Sequence, residues 1–302
     1  MEAAREVTLE MLHDLGGDDF GVFFFLGLFA IFLVSAVGFF LLSWSWITAI
    51  IGVFIGFVVW RHLSLKYDQP RPQQGRRWIT RTSPFVPDTS RLPAVYFLYV
   101  LGSGGHTTEM LEIIKRHFKP QSNQHRRYLV GIGDQDSLDR VIKLEATIRR
   151  AYDRESAGTI DAFHVPRARR VHQPLWTAPL TCLLTAVHAV NALTREPDAR
   201  PRTRHGAQFK YPHVVVTNGP ATGFIVCAVA HLLKLFCLVP PGRLKMVYVE
   251  SWARTRSLSL TGRLFRWSGI ADVFCVQHER LARAVPGALY VGPIAAPLPP
   301  PG

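Results

Sequence analysis

The sequence predicts an α/β protein with one doubly wound parallel sheet behind an N-terminal membrane helix. Residues 20–60 contain no charged side chain, whereas residues 61–302 hold nearly all of the positive charge. From residue 93 onward, short unbroken apolar runs alternate with longer helical patterns. Apolar strands that are each followed by a helix are typical of a parallel sheet covered on both faces.

Charge and length narrow the class of protein. The 302 residues carry a formal net charge of +13 and are 48% hydrophobic, which allows one or two domains with a sizeable core. Residues 1–19 sum to −5 and residues 20–60 to zero, so residues 61–302 carry +18. No nucleic-acid-binding module or aromatic–basic platform accompanies this basicity, so nucleic acid is not the expected partner.

The uncharged segment predicts a retained membrane anchor. It exceeds the roughly 20 residues that cross a bilayer as a helix, and the acidic tail at 1–19 is unlike the basic start of a secretory signal. Residues 20–42 are long enough for one span, and residues 47–60 are too short to cross untilted. A single span is therefore favoured, with a helical hairpin as the alternative.

Basic residues after the anchor predict its orientation. These basic residues are Arg61, Lys66, Arg71, Arg76, Arg77 and Arg81. The single acidic residue among them is Asp68. The positive-inside rule places this side in the cytosol. A single span would leave residues 1–19 in the lumen, and a hairpin would leave both ends cytosolic. Residues 61–92 are rich in Pro, Arg, Ser and Gln, which predicts a juxtamembrane linker.

The main domain is expected over residues 93–292, followed by a Pro-rich tail at 293–302. Predicted strands cover 94–101, 127–132, 159–165, 213–217, 244–250 and 272–276. Predicted helices cover 107–118, 134–150, 174–193, 221–238 and 258–267. Residues 195–210 have the composition of a disordered, solvated insertion. The four cysteines show no ligand spacing, so reduced thiols are expected rather than a metal site or a disulfide framework.

The strongest chemical signal is the run Gly102-Ser103-Gly104-Gly105-His106-Thr107, between the first strand and the first helix. Glycines let a ligand approach the backbone, and free N–H groups at a helix start favour phosphate. The run lacks the lysine of a nucleoside-triphosphate loop and the GxGxxG spacing of a dinucleotide site. It also lacks a serine or cysteine nucleophile on an elbow.

Two further turns follow predicted strands. Asn218-Gly219 follows the fourth, and Glu250 to Arg254 follow the fifth. Because the carboxyl ends of parallel strands share one edge, the three turns are expected to converge on one crevice. Each also has a purely structural explanation: His106 and Thr107 cap the helix, Asn218-Gly219 is only a turn, and Glu250 pairs with Arg254. We do not expect all three structural explanations to hold together.

These motifs carry a resemblance to a known family. The runs GSGGHT, TNGPATG and VYVESWARTRSLSLTGRLFRWSGIADVFCVQ resemble the membrane-anchored subunit of the dolichol-linked N-acetylglucosaminyltransferase of the endoplasmic reticulum. The resemblance covers residues 94–292 and the anchor. That family is similar to the N-terminal, acceptor-binding half of a type-B glycosyltransferase, such as the bacterial enzyme that completes the lipid-linked peptidoglycan precursor.

The resemblance implies a split enzyme. This chain would anchor and recruit a soluble subunit that carries the UDP-N-acetylglucosamine half, and together they would add the second N-acetylglucosamine to N-acetylglucosaminyl-pyrophosphoryl-dolichol. It implies that the protein lies in the endoplasmic reticulum membrane, or in the nuclear membrane continuous with it, with its main domain on the cytosolic side. It implies no cofactor. The enzyme of the preceding step is a further candidate partner. Independently, about 210 residues after the linker suffice for one Rossmann-like domain, not two.

The resemblance also implies site roles. Gly102, Gly104, Gly105 and His106 match the glycine-rich turn and would face the acceptor pyrophosphate and sugar, with Ser103 and Thr107 beside them. Asn218 and Gly219 would shape the acceptor pocket, with Arg254 at its edge. An inverting transfer needs a base that takes the proton of the acceptor hydroxyl. His106 is one candidate for this base. Glu250 is either the other candidate or the group that orients His106.

Two regions leave alternatives open. Arg167, Arg169 and Arg170 precede the apolar run 175–193, which suits either anionic lipid headgroups or a solvated cluster beside a buried helix. In the family the extreme C-terminus contributes to docking the catalytic partner, and here residues 293–302 replace the usual short apolar finish. A membrane scaffold without a catalytic part is the competing function, and a self-sufficient nucleotide-dependent enzyme is a third.

Overall fold

The structure, a computed structural model, describes residues 19–41, 44–67, 94–169 and 173–293. The predicted linker from residue 68 onward, Arg170 and most of the acidic and Pro-rich tails lie outside the described residues. The chain divides into an N-terminal helical unit and a larger C-terminal unit.

Two long helices form the N-terminal part. Helix α1 covers Asp19–Leu41 and helix α2 covers Trp44–Tyr67. Within the described part, Trp46–Tyr67 is long and apolar enough to cross a membrane. Helix α2 continues past residue 60 because lysine and arginine are good helix formers. The long side chain of Lys66 can also carry its charge away from the apolar stretch toward polar surroundings. Residues 47–60 are therefore not too short to belong to a span, and the number of spans stays a prediction.

The larger unit is built on one parallel sheet, which confirms the predicted fold class. Its seven strands follow the order β3-β2-β1-β4-β5-β6-β7, and every neighbouring pair is parallel. The strands are β1 Val95–Val100, β2 Gln124–Gly131, β3 Thr159–Val165, β4 Val214–Thr217, β5 Lys245–Val249, β6 Val273–Val276 and β7 Leu289–Tyr290. The strand order reverses between β1 and β4, where doubly wound folds place their ligand crevice.

Helices cover both faces of this sheet. They are α3 Gly105–His117, α4 Gln135–Ala151, α5 Ala178–Thr194, α6 Ala221–Leu235, α7 Leu260–Ser268 and α8 Glu279–Ala284. Alternate strand residues feed two cores: Val95 and Phe97 pack with α3 and α4, whereas Leu98 and Val100 pack with α5, α6 and α7. The two faces are therefore filled by different helices, as a doubly wound sheet requires.

Strand β2 departs from the predicted apolar run. It begins at Gln124, three residues before the predicted start, and includes buried Arg126 and Arg127. Sequence patterning misses residues 124–126 because polar and charged side chains such as Arg126 are rarely buried unless paired. We call the following paired side chains the β2 cluster: His125, Arg126, Arg127, Glu145 and Asp161.

The β2 cluster is fully paired. Arg126 donates from Nε and Nη2 to the two Glu145 carboxylate oxygens at 2.8 and 2.7 Å. Arg127 donates from Nη2 to Asp161 Oδ2 at 2.6 Å, and its Nη1 reaches the carbonyls of Ala192 and Arg195 at the end of α5. His125 Nε2 lies 3.1 Å from Asp161 Oδ1. These bonds compensate the cost of burying the charges.

The segment at 195–210 is largely exposed, as its composition predicts, but a few buried residues attach it to the domain. Phe209 is only 2% exposed and packs against Tyr96, with ring centroids 5.8 Å apart. Gly206 begins a 3₁₀ turn and lies against Pro201. The segment is held because Arg127 binds the carbonyls at its start and Phe209 fills a gap at its end, contacts that composition alone does not reveal.

The basic residues after β3 have partners on the protein. Arg167 pairs with Asp134 at 2.9 Å, and Arg169 donates to the Gln173 carbonyl at 3.3 Å. Next to them Trp176 is 79% exposed and Leu180 is 53% exposed. The lipid-facing role of this region stays a prediction.

Candidate functional site

The glycine turn joins β1 to α3 at the reversal point of the sheet. Gly104 has φ +58°, in the left-handed region that favours glycine. At Gly102 a Cβ would lie 2.5 Å from His106 Cβ and 2.8 Å from Pro220 Cδ. Glycine at residue 102 therefore lets the first turn of α3 and the turn after β4 approach each other closely.

Thr107 fixes the shape of this turn. Its side chain is fully buried, its hydroxyl donates to the Gly102 carbonyl, and Ser137 Oγ lies 2.8 Å away. The resemblance implies an acceptor contact for Thr107, but the structure encloses its side chain between the glycine turn and the first turn of α4. Thr107 instead holds the backbone of the glycine turn in place.

The turn after β4 is joined directly to α3. Asn218 is 1% exposed, and its Nδ2 donates to the His106 carbonyl at 2.8 Å and to Glu109 Oε2 at 3.2 Å. At Gly219 a Cβ would lie 3.9 Å from His106 Cε1. The predicted convergence of these two turns is confirmed.

Glu109 links three of the loops, and sequence reasoning missed it. Its Oε1 accepts from Ser251 Oγ at 2.9 Å and from the Trp252 backbone N–H at 3.0 Å. Its Oε2 accepts from Asn218 and lies 4.0 Å from His106 Nδ1. The available signal was its position three residues after His106, since such residues share a helix face.

The side chain of His106 is partly exposed to solvent and has a ring nitrogen without a hydrogen-bond partner among the described residues. Its side chain is 37% exposed, yet its Nδ1 is buried and has no hydrogen-bond partner among the described residues. Asn218 Oδ1 is buried without a partner in the same part of the structure. Buried polar atoms are normally bonded, so such exceptions are typical of sites that complete their bonding with a ligand or water.

Glu250 does not reach His106. It is 1% exposed, its Oε1 accepts from the Ser251 N–H and Tyr248 hydroxyl, and its Oε2 accepts from the Ser259 N–H and hydroxyl. These bonds hold the loop after β5 and the start of α7. The expectation of Glu250 as base or as the group that orients His106 is corrected on this geometry, because its oxygens are turned into the protein.

The remaining candidate residues are accessible to solvent. Ser103 is half-buried, and Gly104, Gly105 and Arg254 are exposed. The Arg254 backbone N–H closes a turn to the Ser251 carbonyl at 3.0 Å. The glycines leave backbone N–H groups at the start of α3 accessible to an anionic ligand.

A fourth loop, after β6, supports the edge of the crevice. Gln277 donates to the Glu250 carbonyl at 3.0 Å, and His278 stacks on Trp252 with ring centroids 4.1 Å apart. Burial together with the Glu250 charge raises the pKa of Tyr248 far above its usual range, so its hydroxyl stays a donor. Within the described residues, no group of three His, Cys, Asp or Glu side chains is placed to hold a metal ion.

Fold and site together define a Rossmann-like α/β protein with a glycine-lined crevice at the carboxyl edge of its sheet. The sequence profile of the family described as "Oligosaccharide biosynthesis protein Alg14 like" matches residues 97–294. The chain therefore belongs to the Alg14 family, which confirms the resemblance found in the sequence.

Relatives from several organisms agree with this membership. The chain is 35% identical to "UDP-N-acetylglucosamine transferase subunit ALG14" of Yarrowia lipolytica, over 65% of this chain and 79% of that protein. Identity to the subunit of the same title from Mus musculus is 30%, over 65% of this chain and 82% of that protein. The Eremothecium gossypii subunit is 35% identical to this chain, over 67% of this chain and 81% of that protein.

Proposed function

We propose that this chain is the membrane-anchoring, acceptor-binding subunit of a two-subunit N-acetylglucosaminyltransferase. It would recruit a soluble subunit that binds UDP-N-acetylglucosamine, and the pair would add the second N-acetylglucosamine to N-acetylglucosaminyl-pyrophosphoryl-dolichol. The cytosolic face of the endoplasmic reticulum membrane is the proposed location. Support comes from the titles of its relatives, the apolar helix Trp46–Tyr67 and a single Rossmann-like domain.

The observation that carries the proposal is the group formed by His106, Glu109 and Asn218 beside the glycine turn. We call this group, with Ser251 and Trp252, the crevice cluster. The helix N-terminus at Gly105 offers N–H groups to the acceptor pyrophosphate. His106, which is 37% exposed, would then meet the sugar that the pyrophosphate carries.

In the proposed reaction, His106 takes the proton of the acceptor hydroxyl as that oxygen attacks the anomeric carbon of the donor sugar. The bond between that carbon and the UDP oxygen breaks, and UDP leaves with the bonding electrons. Glu109 at 4.0 Å stabilises the positive charge that His106 acquires. Asn218 holds both residues through its Nδ2.

Reconstitution tests this function. The full chain in vesicles, the soluble subunit, and both together would be assayed for transfer of N-acetylglucosamine to a lipid-pyrophosphate acceptor. We expect transfer only from the combination. Activity of the chain alone would contradict the split enzyme, and full activity of the soluble subunit alone would leave this chain as a scaffold.

A further inference from the structure

Helix α7 turns an apolar stripe toward solvent. Phe265 faces inward and stacks on Tyr248, with centroids 4.4 Å apart. Leu260 and Trp267 are 68% and 87% exposed, and the half-buried Leu264 lies between them. Residues at this spacing share one helix face. Apolar residues on the solvent side of a helix that already packs its other side require an explanation.

The same surface is strongly basic. Residues 251–271 contain four arginines and no acidic residue. Arg256, Arg263 and Arg266 are exposed, and within the described residues none of them forms an ion pair. We call the following group the α7 surface: Arg256, Leu260, Arg263, Leu264, Arg266 and Trp267.

We infer that the α7 surface lies on the membrane and binds anionic lipid headgroups. An amphipathic helix rests at a bilayer surface with its apolar side inserted and its arginines at the headgroups. Tryptophan favours this boundary because its ring is apolar and its indole N–H is polar. Anionic lipids attract adjacent arginines, whereas a neutral protein surface would gain nothing from three unopposed positive charges.

This surface would hold the domain against the bilayer next to the crevice. Glu250 and Ser251 precede the basic loop, and Glu250 bonds Ser259 just before α7 begins. A lipid-bound α7 would therefore bring the crevice close to the headgroup layer, where a lipid-linked ligand presents its polar part. The inference concerns lipid contact and stands whether or not the proposed transferase activity is found.

Lipid crosslinking with the full chain tests the inference. The protein would be placed in nanodiscs of phosphatidylcholine alone or of phosphatidylcholine with phosphatidylserine, each with a lipid that carries a diazirine on its acyl chain. Mass spectrometry would then locate the labelled residues. We expect labelling of residues 259–269 that increases with phosphatidylserine and decreases with added salt, because salt screens exposed charges.

Matched variants make the test specific. The double variant Arg263→Gln/Arg266→Gln should lower the phosphatidylserine-dependent labelling by about fivefold per arginine, and Trp267→Ser should lower it in both membranes. Controls come from α4 on the opposite sheet face: Arg149→Gln/Arg150→Gln in its last turn, and Ile142→Ser, which is also exposed. These should leave the labelling unchanged.

Several results would overturn the inference. One is an absence of acyl-chain labelling on residues 259–269 in both membranes; another is labelling that the α7 variants do not alter. Protection of α7 from hydrogen exchange only after addition of the soluble subunit would assign this surface to a protein partner instead. Thermal unfolding of each variant would establish that its fold is intact.

Discussion

Two buried polar clusters on the same sheet differ in how completely they are bonded. In the β2 cluster every charged group has a partner within the protein, including the bidentate pair of Arg126 and Glu145. In the crevice cluster, His106 Nδ1 and Asn218 Oδ1 are buried without partners among the described residues. Burial of polar groups alone therefore does not indicate function. The crevice cluster is the better candidate because its unpaired atoms lie beside the glycine turn at the reversal point of the sheet.

The largest expected effect is a loss of transferase activity when His106 of the crevice cluster is replaced. With His106→Gln, we expect turnover of the reconstituted pair to fall about 10²–10⁴-fold, the range for loss of a general base, with unchanged thermal unfolding. Turnover at saturating acceptor and donor measures this. Wild-type turnover in the variant would remove His106 from the role of base.

The β2 cluster should respond in the opposite way. Asp161→Asn leaves Arg127 buried without its carboxylate, so we expect unfolding to become easier by about 3–5 kcal/mol. Thermal unfolding of the full chain in detergent, followed by near-UV circular dichroism, measures this. Asp136→Asn on the exposed side of α4 is the control and should change stability by less than about 0.5 kcal/mol. Similar stability of both variants would contradict the structural role.

A smaller effect is expected at the glycine turn. Gly102→Ala places a methyl group 2.5 Å from His106 Cβ, so we expect a loss of about 1–3 kcal/mol in stability and a displaced His106. Gly105→Ala is the matched control, because a Cβ there meets nothing within 4 Å and alanine favours the helix start. Equal behaviour of the two variants would show that close approach at Gly102 is not required.

Glu109→Gln sharpens the comparison within the crevice cluster. Removing the charge beside His106 should lower kcat about tenfold, or about 1.4 kcal/mol in the barrier, with little change in KM for the acceptor. Glu112→Gln, one turn further along the exposed side of α3, is the control. A change confined to KM would assign Glu109 to acceptor binding rather than to stabilising the charge on His106.

The smallest expected effect is a gradual loss of stability in mild acid. Burial lowers the pKa of His125, outweighing its hydrogen bond to Asp161. The unfolded chain therefore takes up this proton near pH 6.5 while the folded chain resists it, so stability falls as pH drops below that value, by at most about 1.4 kcal/mol per pH unit.

A second loss is expected below about pH 4. Burial raises the pKa of Asp161, but hydrogen bonds from His125 and Arg127 outweigh it and keep this pKa below its usual range. Stability from Asp161 is thus present above its unfolded value and lost on further acidification. Unfolding temperatures across pH measure both steps. His125→Asn should reduce the first but not abolish it, because burial also lowers the pKa of His117 and of His213. A flat profile between pH 7 and pH 5 would contradict the assignment to His125.

Local pattern was sufficient for most of the sheet and for the glycine turn, but it missed α8 and β7. Unbroken apolar runs predict β1, β4 and β5 because a strand buried on both faces has no polar side. The glycine turn at 102–105 marks the start of α3 and the ligand edge of the sheet, since glycine there meets a backbone requirement visible in the sequence. Strand β2 is predicted only from Arg127 onward, because the residues before it are polar or charged and yet buried.

Partners in space could not be predicted from sequence. Glu109 lies beside His106 because both are on α3, three residues apart. Only the packed structure shows that Glu109 also bonds Asn218 and Ser251, and that Glu250 bonds Ser259 instead of facing His106. Thr107 and Glu250 face inward for the same reason. The sequence by itself determined a parallel α/β domain with a glycine-lined crevice behind an apolar segment, because these follow from local patterning. The tertiary structure decided which polar side chains are fully bonded and which keep capacity for a ligand, because bonding depends on residues distant in the chain.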